Sequence, residues 1–313
     1  MSGANASTAT ATIATASRSP SAARAPYTGR FAPSPTGPLH LGSLVAALGS
    51  FLDARAHGGR WLLRMEDLDR ERVIGGCATQ MLRTLEAFGL HWDGPIEYQS
   101  AHTAAYASAL QRLKALGLTF ECSCSRRDLA EAGGYPGTCR AGARTAGPTA
   151  TRFRVSEGTL SFEDRVQGAC AFDLAERGDV IIRRRDDAFA YQLAVVVDDA
   201  RQGVTDVVRG ADLLDSTAWQ ISLQRALALP TPRYAHLPLI TEPGGAKLAK
   251  SRRSVALEPE HAGPQLWQGL TLLRQDPPVE LKLQPPAQIL SWGIEHWRLA
   301  PLRSLREAPL PPA

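Results

Sequence analysis

The sequence predicts an α/β fold built on an open, Rossmann-type parallel sheet. Short strand-like segments alternate with longer apolar helical segments in the first third of the chain, an order typical of parallel sheets covered by helices. The predicted segments are a strand from Tyr27, a helix at 41–54, a strand at 61–65, and helices at 75–88 and 103–116. With 44% hydrophobic and 21% charged residues over 313 positions, the composition is that of an ordinary globular protein with a large core.

The second half of the chain continues the pattern after an interruption. Strands are predicted at 188–197 and 204–209, and helices at 216–229 and 287–299. We therefore expect a main domain whose ligands bind at the carboxyl edge of its sheet. The predicted units are a tail at 1–26, the main domain at 27–116 and 149–243, an insertion at 117–148, and a loop with a short, mainly helical C-terminal part at 244–313.

The first 26 residues are rich in Ala, Ser and Thr, contain Arg18 and Arg24, and have no acidic residue. We interpret them as a disordered tail. An organelle transit peptide has a similar composition and is the alternative. The longest apolar runs, such as 193–197, are far too short to span a membrane, so we expect a soluble, cytoplasmic protein with no membrane partner. A net charge of +4 permits a polyanionic partner without requiring one.

Three cysteines crowd into the insertion, where helical and strand periodicity is absent. The spacing of Cys122, Cys124 and Cys139 suits a metal better than a disulfide framework and favours a reducing compartment. Three thiolates and one further ligand would form a closed tetrahedral zinc site, which is structural in character. The residues leave the fourth ligand open between Asp128, Glu131 and water. Cys77 and Cys170 lack such neighbours and are interpreted as buried thiols.

A proline-rich loop at 30–43 joins the first predicted strand to the first helix and ends in His40-Leu41-Gly42-Ser43. The start of a helix offers unpaired N–H groups and a partial positive charge, which suit a phosphate. Gly42 would let a nucleotide approach the backbone, and His40 could bond a phosphate. Taken alone, a Pro/Gly loop before a helix is more often structural.

A second basic element, Lys247-Leu248-Ala249-Lys250-Ser251, follows Gly244-Gly245. It would place two ammonium groups on a loop able to close over phosphates. Read alone, it is more simply a solvated basic turn. The sequence contains neither G-x-x-x-x-G-K-[ST] nor G-x-G-x-x-G, so the commonest phosphate-binding loops are absent from it.

Together these two elements resemble the HIGH and KMSKS signatures of class I aminoacyl-tRNA synthetases. The flanking sequences RFAPSPTGPLHLGS and LLRMEDLDRER are similar to the glutamyl branch, and within it to short paralogues that lack an anticodon-binding domain. The resemblance covers 27–254. It departs from the family pattern at Ser43, where His is usual, and at Leu248 and Ala249, where Met and Ser are usual.

The resemblance implies an ATP-dependent ligase that activates glutamate as glutamyl-adenylate, with Mg²⁺ on the phosphates of ATP. Catalysis is assigned to Lys250, His40 and Lys247, and no side chain need act as a covalent nucleophile. The ATP-binding residues implied are His40, Gly42, Ser43, Lys247, Lys250 and Ser251.

The amino-acid pocket implied by the resemblance begins at Arg30, Phe31, Ala32, Pro33 and Ser34. Glu66 matches the acid that pairs with the substrate ammonium, and Tyr191 and Arg209 match the groups that hold its side-chain carboxylate. A guanidinium facing that carboxylate favours glutamate over glutamine. The family's Tyr-x-Gly-x-Cys pattern also makes Tyr135 the fourth zinc ligand, beside Cys122, Cys124 and Cys139.

The acceptor RNA is inferred from the resemblance alone. Only 62 residues (313 − 251) follow Ser251, too few for an anticodon-reading domain, which needs about 100 or more. Members of the short family attach glutamate to the queuosine base at the wobble position of tRNA(Asp), and we expect that acceptor and a monomer here. Two alternatives are a truncated translational glutamyl-tRNA synthetase charging tRNA(Glu), and a catalytically silent regulator that binds tRNA or an amino acid.

Overall fold

The computed structural model describes residues 25–131, 135, 137–241 and 256–310. In this part of the chain the strands are β1 (Thr28–Phe31), β2 (Arg60–Met65), β3 (Glu97–Tyr98), β4 (Thr119–Cys122), β5 (Ala150–Phe153), β6 (Thr159–Asp164), β7 (Gly168–Asp173), β8 (Val180–Arg183), β9 (Asp206–Gly210), β10 (Arg233–Leu237), β11 (Leu239–Thr241) and β12 (Glu307–Pro309). The α-helices are α1 (Leu41–Ala56), α2 (Cys77–Ala87), α3 (Thr103–Ala115), α4 (Arg126–Glu131), α5 (Leu174–Arg177), α6 (Tyr191–Arg201), α7 (Leu214–Ala226), α8 (Ala262–Leu272) and α9 (Pro286–His296).

Parallel pairing dominates the centre of the molecule, which confirms the predicted fold class. β1, β2 and β3 form one parallel set, while β9, β10 and β6 form another that β7 extends in the antiparallel sense. The N–H of Thr205, just before β9, donates to the carbonyl of Thr28, which brings β9 beside β1. The carboxyl ends of β1, β2, β9 and β10 therefore share one edge.

Both faces of this central sheet are covered, as parallel strands require. Successive residues of a strand point to opposite faces, and accordingly Val207 joins one hydrophobic cluster and Val208 the other. The first cluster surrounds α1 and includes side chains of α2, α8 and α9. The second includes side chains of α3, α6 and α7. The predicted C-terminal helix thus belongs to the core beside α1.

One predicted element is wrong. The segment 188–197 was expected to be a strand, but most of it belongs to helix α6, which starts at Tyr191. Every residue from Leu193 to Asp199 is buried, so the apolar run has no exposed face to reveal a helical period. Packing of α6 among α3, α7 and β8 overrides the β-branched composition of the run.

A second, antiparallel sheet carries the cysteine segment. β5 lies between β4 and β8, and Cys122 is the last residue of β4. The strands β5 to β8 were not predicted from the sequence. In the described residues, no helix is both long and apolar enough to cross a membrane. Residues 1–24 of the tail predicted at 1–26 lie outside the described residues, so that prediction is not tested.

Candidate active site

A cavity of about 750 Å³ opens at the shared carboxyl edge of β1, β2, β9 and β10, against the N-terminus of α1. Every described residue that the sequence assigned to ATP or glutamate lines it: Arg30, Phe31, Ala32, Pro33, Ser34, His40, Gly42, Ser43, Glu66, Tyr191 and Arg209. The other three, Lys247, Lys250 and Ser251, lie outside the described residues. Ile240 and Ala256, which are described on either side of that segment, also line the cavity.

His40 is the N-cap of α1 and forms a reciprocal capping box with Ser43. The backbone N–H of Ser43 donates to His40 Nδ1 at 3.3 Å, and the backbone N–H of His40 donates to Ser43 Oγ at 2.7 Å. In a neutral ring this places the proton on Nε2, the nitrogen that can donate to a phosphate. A Cβ on Gly42 would lie 3.1 Å from the His40 ring, so a side chain there would crowd it. Ser43, which stands where the family usually has His, stabilises the start of α1 as part of this capping box.

Glu66 follows β2 and lies within a cluster of buried charges. Its Oε1 is 3.8 Å from Nη2 of Arg64, whose side chain is fully buried. Arg64 Nη2 also lies 2.8 Å from Asp199 Oδ1, and Arg30 donates to both oxygens of Asp199 at 3.1 and 3.4 Å. Burial raises the pKa of Glu66 to about 7, against the opposing effect of Arg64 and Arg30. Although burial alone would raise it, the two guanidinium groups hold the pKa of Asp199 below its usual range.

Arg209, near the end of β9, is buried and held on several sides. Its Nε donates to His236 Nε2 at 3.0 Å, and its Nη2 donates to Thr217 Oγ1 at 2.9 Å and to the Leu213 carbonyl at 3.3 Å. Its Nη1 donates to the Tyr191 hydroxyl at 3.3 Å. Two parallel bonds from Nε and Nη2 to a substrate carboxylate would require those partners to be displaced. The arrangement instead offers Nη1 together with the Tyr191 hydroxyl, which can still donate its own proton.

Four residues of this region were not predicted from the sequence: Arg64, Asp164, Asp199 and His236. Asp198 and Asp199 directly follow the apolar run 193–197, and both are buried. Because ionised carboxylates are rarely buried without a cationic partner, this position in the sequence could have indicated a buried ion pair. No comparable signal pointed to His236, whose partners lie on other strands.

The three insertion cysteines are brought together. The Sγ atoms of Cys122, Cys124 and Cys139 all lie within 4.8 Å of one another, with 3.6 Å between Cys124 and Cys139. A single zinc ion bound by thiolates about 2.3 Å away would fit sulfurs at these separations. Arg185 steadies the loop by donating to the carbonyls of Ser123 and Cys124.

Tyr135 lies beside the three thiols. Its phenolic oxygen accepts a hydrogen bond from the backbone N–H of Cys139 at 2.9 Å, and its ring stacks on Phe120. Burial raises the pKa of Tyr135 to about 12, so the phenol is protonated before any metal binds. Asp128 accepts from the N–H and the hydroxyl of Ser125 instead, and it is not among the described groups that could share a metal with the thiols. The side chain of Glu131 lies outside the described residues.

Comparisons with known proteins identify the family and the relatives of this chain. A family model described as tRNA synthetases class I (E and Q), catalytic domain, matches residues 27–262. The chain is similar to the Glutamyl-Q tRNA(Asp) synthetase of Ectopseudomonas mendocina, with 56% identity over 289 residues, 91% of this chain and 98% of that protein. The protein of the same name from Dechloromonas aromatica is 52% identical over 283 residues, 87% of this chain and 94% of that protein. The crystal structure of glutamate-tRNA synthetase from Elizabethkingia anophelis has the same fold, with a TM-score of 0.74 at 22% identity, over 91% of this chain and 68% of that chain.

Proposed function

This chain belongs to the glutamyl-Q tRNA(Asp) synthetase family, within the class I synthetases for glutamate and glutamine, and we propose that it activates L-glutamate with ATP. We propose further that it transfers the glutamate to the queuosine base at the wobble position of tRNA(Asp). The observation that carries the acceptor is the 56% identity over 98% of the length of a relative of that name. Class I membership itself makes the chain a ligase that uses ATP.

In the first step, an oxygen of the glutamate α-carboxylate attacks the α-phosphorus of ATP, and the bond to pyrophosphate breaks. The products are glutamyl-adenylate and pyrophosphate. The N-terminus of α1, His40 Nε2 and the backbone N–H of Gly42 would hold phosphate oxygens, which is supported by the position of His40 and Gly42 in the cavity lining at the start of α1. Lys250 and Lys247 would stabilise the growing negative charge, and ATP would carry Mg²⁺. The roles of Lys247 and Lys250 rest on the resemblance to the KMSKS motif, because both lysines lie outside the described residues.

The charges lining the cavity complement a bound glutamate. An ionised Glu66 would pair with the α-ammonium group, while Arg209 Nη1 and the Tyr191 hydroxyl would hold the side-chain carboxylate. Glutamine would leave a buried guanidinium poorly paired, and sites built around such bonds reject analogues by about 10⁴ to 10⁵. Arg30, fixed by Asp199, would keep the segment Phe31 to Ser34 in place along the substrate.

We further propose one structural zinc per chain, bound by Cys122, Cys124, Tyr135 and Cys139. The convergence of the three sulfurs supports the cysteine ligands, and the packing of Tyr135 against the same cluster supports the fourth. Zinc of this kind fixes the loop between β4 and β5 and leaves no open coordination position for a substrate. The division into a catalytic part at 27–116 and 149–243, an insertion at 117–148 and a C-terminal part at 244–313 stays our proposal, as does the monomeric state.

Two experiments test the function. Glutamate-dependent exchange of pyrophosphate into ATP separates an active enzyme from a silent binding protein. Transfer of labelled glutamate to queuosine-containing tRNA(Asp), but not to queuosine-free tRNA(Asp) or to tRNA(Glu), is the result expected. Labelling of tRNA(Glu) alone would establish a truncated translational synthetase instead.

The specificity of the pocket is tested with Arg209→Gln. We expect glutamate-dependent exchange to fall by at least about 10² while ATP binding persists, because the phosphate-binding residues lie on a different segment. The wild-type enzyme should scarcely activate glutamine. Unchanged kcat/KM for glutamate in this variant would remove Arg209 from substrate recognition.

A further inference from the structure

A buried chain of hydrogen bonds lies behind Arg209, on residues that do not line the cavity. It crosses three adjacent strands: Arg209 on β9 is the register partner of His236 on β10, and Asp164 ends β6 on the other side of β10. His236 Nε2 lies 3.0 Å from Arg209 Nε, and His236 Nδ1 lies 2.6 Å from Asp164 Oδ2. The side chains of His236 and Asp164 are fully buried.

The partners of His236 assign its tautomer. Arg209 Nε carries a hydrogen and can only donate, so His236 Nε2 must accept and cannot carry a proton. Asp164 can accept, so the proton lies on Nδ1. Burial, reinforced by the charge of Arg209, lowers the pKa of His236 to about 4 although Asp164 opposes the shift. A neutral ring protonated on Nδ1 satisfies Arg209 and Asp164, and its Nε2 can also accept from the Thr217 hydroxyl, 3.2 Å away.

Asp164 is in turn fixed by the backbone. Its Oδ1 accepts from the N–H groups of Val166 at 2.9 Å, Gln167 at 2.8 Å and His236 at 3.1 Å. Those three bonds leave Oδ2 facing the imidazole. The carboxylate therefore has one orientation, and that orientation selects one tautomer of His236.

The guanidinium of Arg209 has five N–H groups. His236 takes the one on Nε, Thr217 and the Leu213 carbonyl take the two on Nη2, and Tyr191 takes one on Nη1. One Nη1 hydrogen has no partner among the described residues. Arg209 and Tyr191, which are joined through Nη1 and the hydroxyl, both line the cavity.

We propose that Asp164 and His236 are positioning residues for amino-acid recognition. Asp164 selects the Nδ1–H tautomer of His236, and Nε2 of that tautomer holds Arg209 so that Nη1 and the Tyr191 hydroxyl face the substrate's side-chain carboxylate. The inference rests on the proposed role of Arg209 in binding glutamate. It assigns specificity to two residues that the substrate never touches.

The first test is Asp164→Asn, which keeps the size of the side chain. The asparagine Oδ1 can still accept from the backbone, so its Nδ2 would donate to His236 Nδ1 and the ring proton would move to Nε2. That proton could be donated only to Thr217 Oγ1, 3.2 Å away, and Arg209 Nε would lose its acceptor. We expect the KM for glutamate to rise at least about tenfold, the loss typical of a disrupted hydrogen bond to a charged group, with the KM for ATP within about twofold.

Tyr234→Phe is the matched control. It removes a buried hydroxyl from the same strand, where Tyr234 accepts from Gln224 at 3.0 Å, and leaves the chain from Asp164 to Arg209 intact. We expect its KM for glutamate to match that of the wild-type protein. A rise equal to that of Asp164→Asn would show general loosening of the strand and would overturn the proposal.

A second pair of variants keeps the test decisive if Asp164→Asn does not fold. His236→Gln places an amide oxygen near the position of Nε2 and can still accept from Arg209, whereas His236→Leu cannot. The KM for glutamate should be at least about fivefold lower in the glutamine variant. Equal KM values in the two variants would refute the role of His236 Nε2 as the acceptor for Arg209.

The tautomer itself can be read without any activity. Nitrogen-15 NMR of the histidine-labelled wild-type protein should show His236 protonated on Nδ1 and unprotonated on Nε2. The opposite pattern would overturn the inference whatever the enzyme does. A wild-type protein with this tautomer but no glutamate-dependent exchange would instead refute the proposed function, so the two failures are distinguishable.

Discussion

Glutamate should bind more tightly as the pH rises, because Glu66 must be ionised to pair with the substrate ammonium. Burial, reinforced by the neighbouring carboxylates Asp199 and Asp198, raises the pKa of Glu66 to about 7 although Arg64 and Arg30 oppose the shift. Below that pH the carboxyl is neutral in the free protein, and binding must first remove its proton. Above it the carboxylate is already formed, so the affinity rises with pH and then levels off.

The size of the expected change in glutamate affinity follows from the fraction of Glu66 that is ionised at each pH. With a pKa of about 7, this fraction is about one tenth at pH 6 and about nine tenths at pH 8, so the dissociation constant should fall about tenfold between them. A carboxyl with an ordinary pKa would be almost fully ionised at both pH 6 and pH 8, and the dissociation constant for glutamate would hardly change. The structure therefore predicts a pH dependence that an unperturbed glutamate cannot produce.

Isothermal titration calorimetry with glutamate alone is the appropriate assay, because leaving out ATP removes any contribution from His40. In buffers of different ionisation enthalpy, about half a proton should be released per glutamate bound at pH 7. Glu66→Gln should bind more weakly and lose both the pH dependence and the proton release. An affinity constant within about twofold from pH 6 to pH 8 in the wild-type protein would refute the reasoning.

Three other predictions concern catalysis, the metal and stability. Lys250→Ala should lower glutamate-dependent pyrophosphate exchange by about 10² to 10³, the usual loss for one charge-stabilising donor, with an unchanged circular dichroism spectrum; activity within threefold of wild type would remove Lys250 from the mechanism. Purified protein should contain one zinc per chain by metal analysis, and Cys124→Ser should lose most of it; full retention would refute the ligand set. Asp53→Ala should lower the free energy of unfolding in urea by about 3 to 5 kcal/mol, because the fully buried carboxylate accepts bonds from Tyr27, Arg165 and Trp297 and its loss leaves a guanidinium poorly paired. A change below about 1 kcal/mol would contradict this account.

Local sequence was sufficient for the features that depend on neighbouring residues. The start of α1 was predicted from the apolar run that follows the Pro/Gly loop, and the structure adds the capping box that His40 and Ser43 form. The clustering of Cys122, Cys124 and Cys139 was likewise predictable from their spacing, because a short loop brings them within reach. The strand and helix order gave the parallel fold class, and the motifs placed the expected substrate residues at one sheet edge.

Features that depend on distant contacts required the tertiary structure. The run 193–197 reads as a strand, and only its burial on all sides makes it part of a helix. Asp199 and Arg30 are separated by 169 positions, and Asp164 and His236 by 72, so no local pattern announces either pair. The motifs in the sequence were enough to predict many of the residues that surround the cavity. Tertiary packing decided their charge states and orientations, because desolvation and hydrogen-bond geometry arise only when strands far apart in the chain become neighbours.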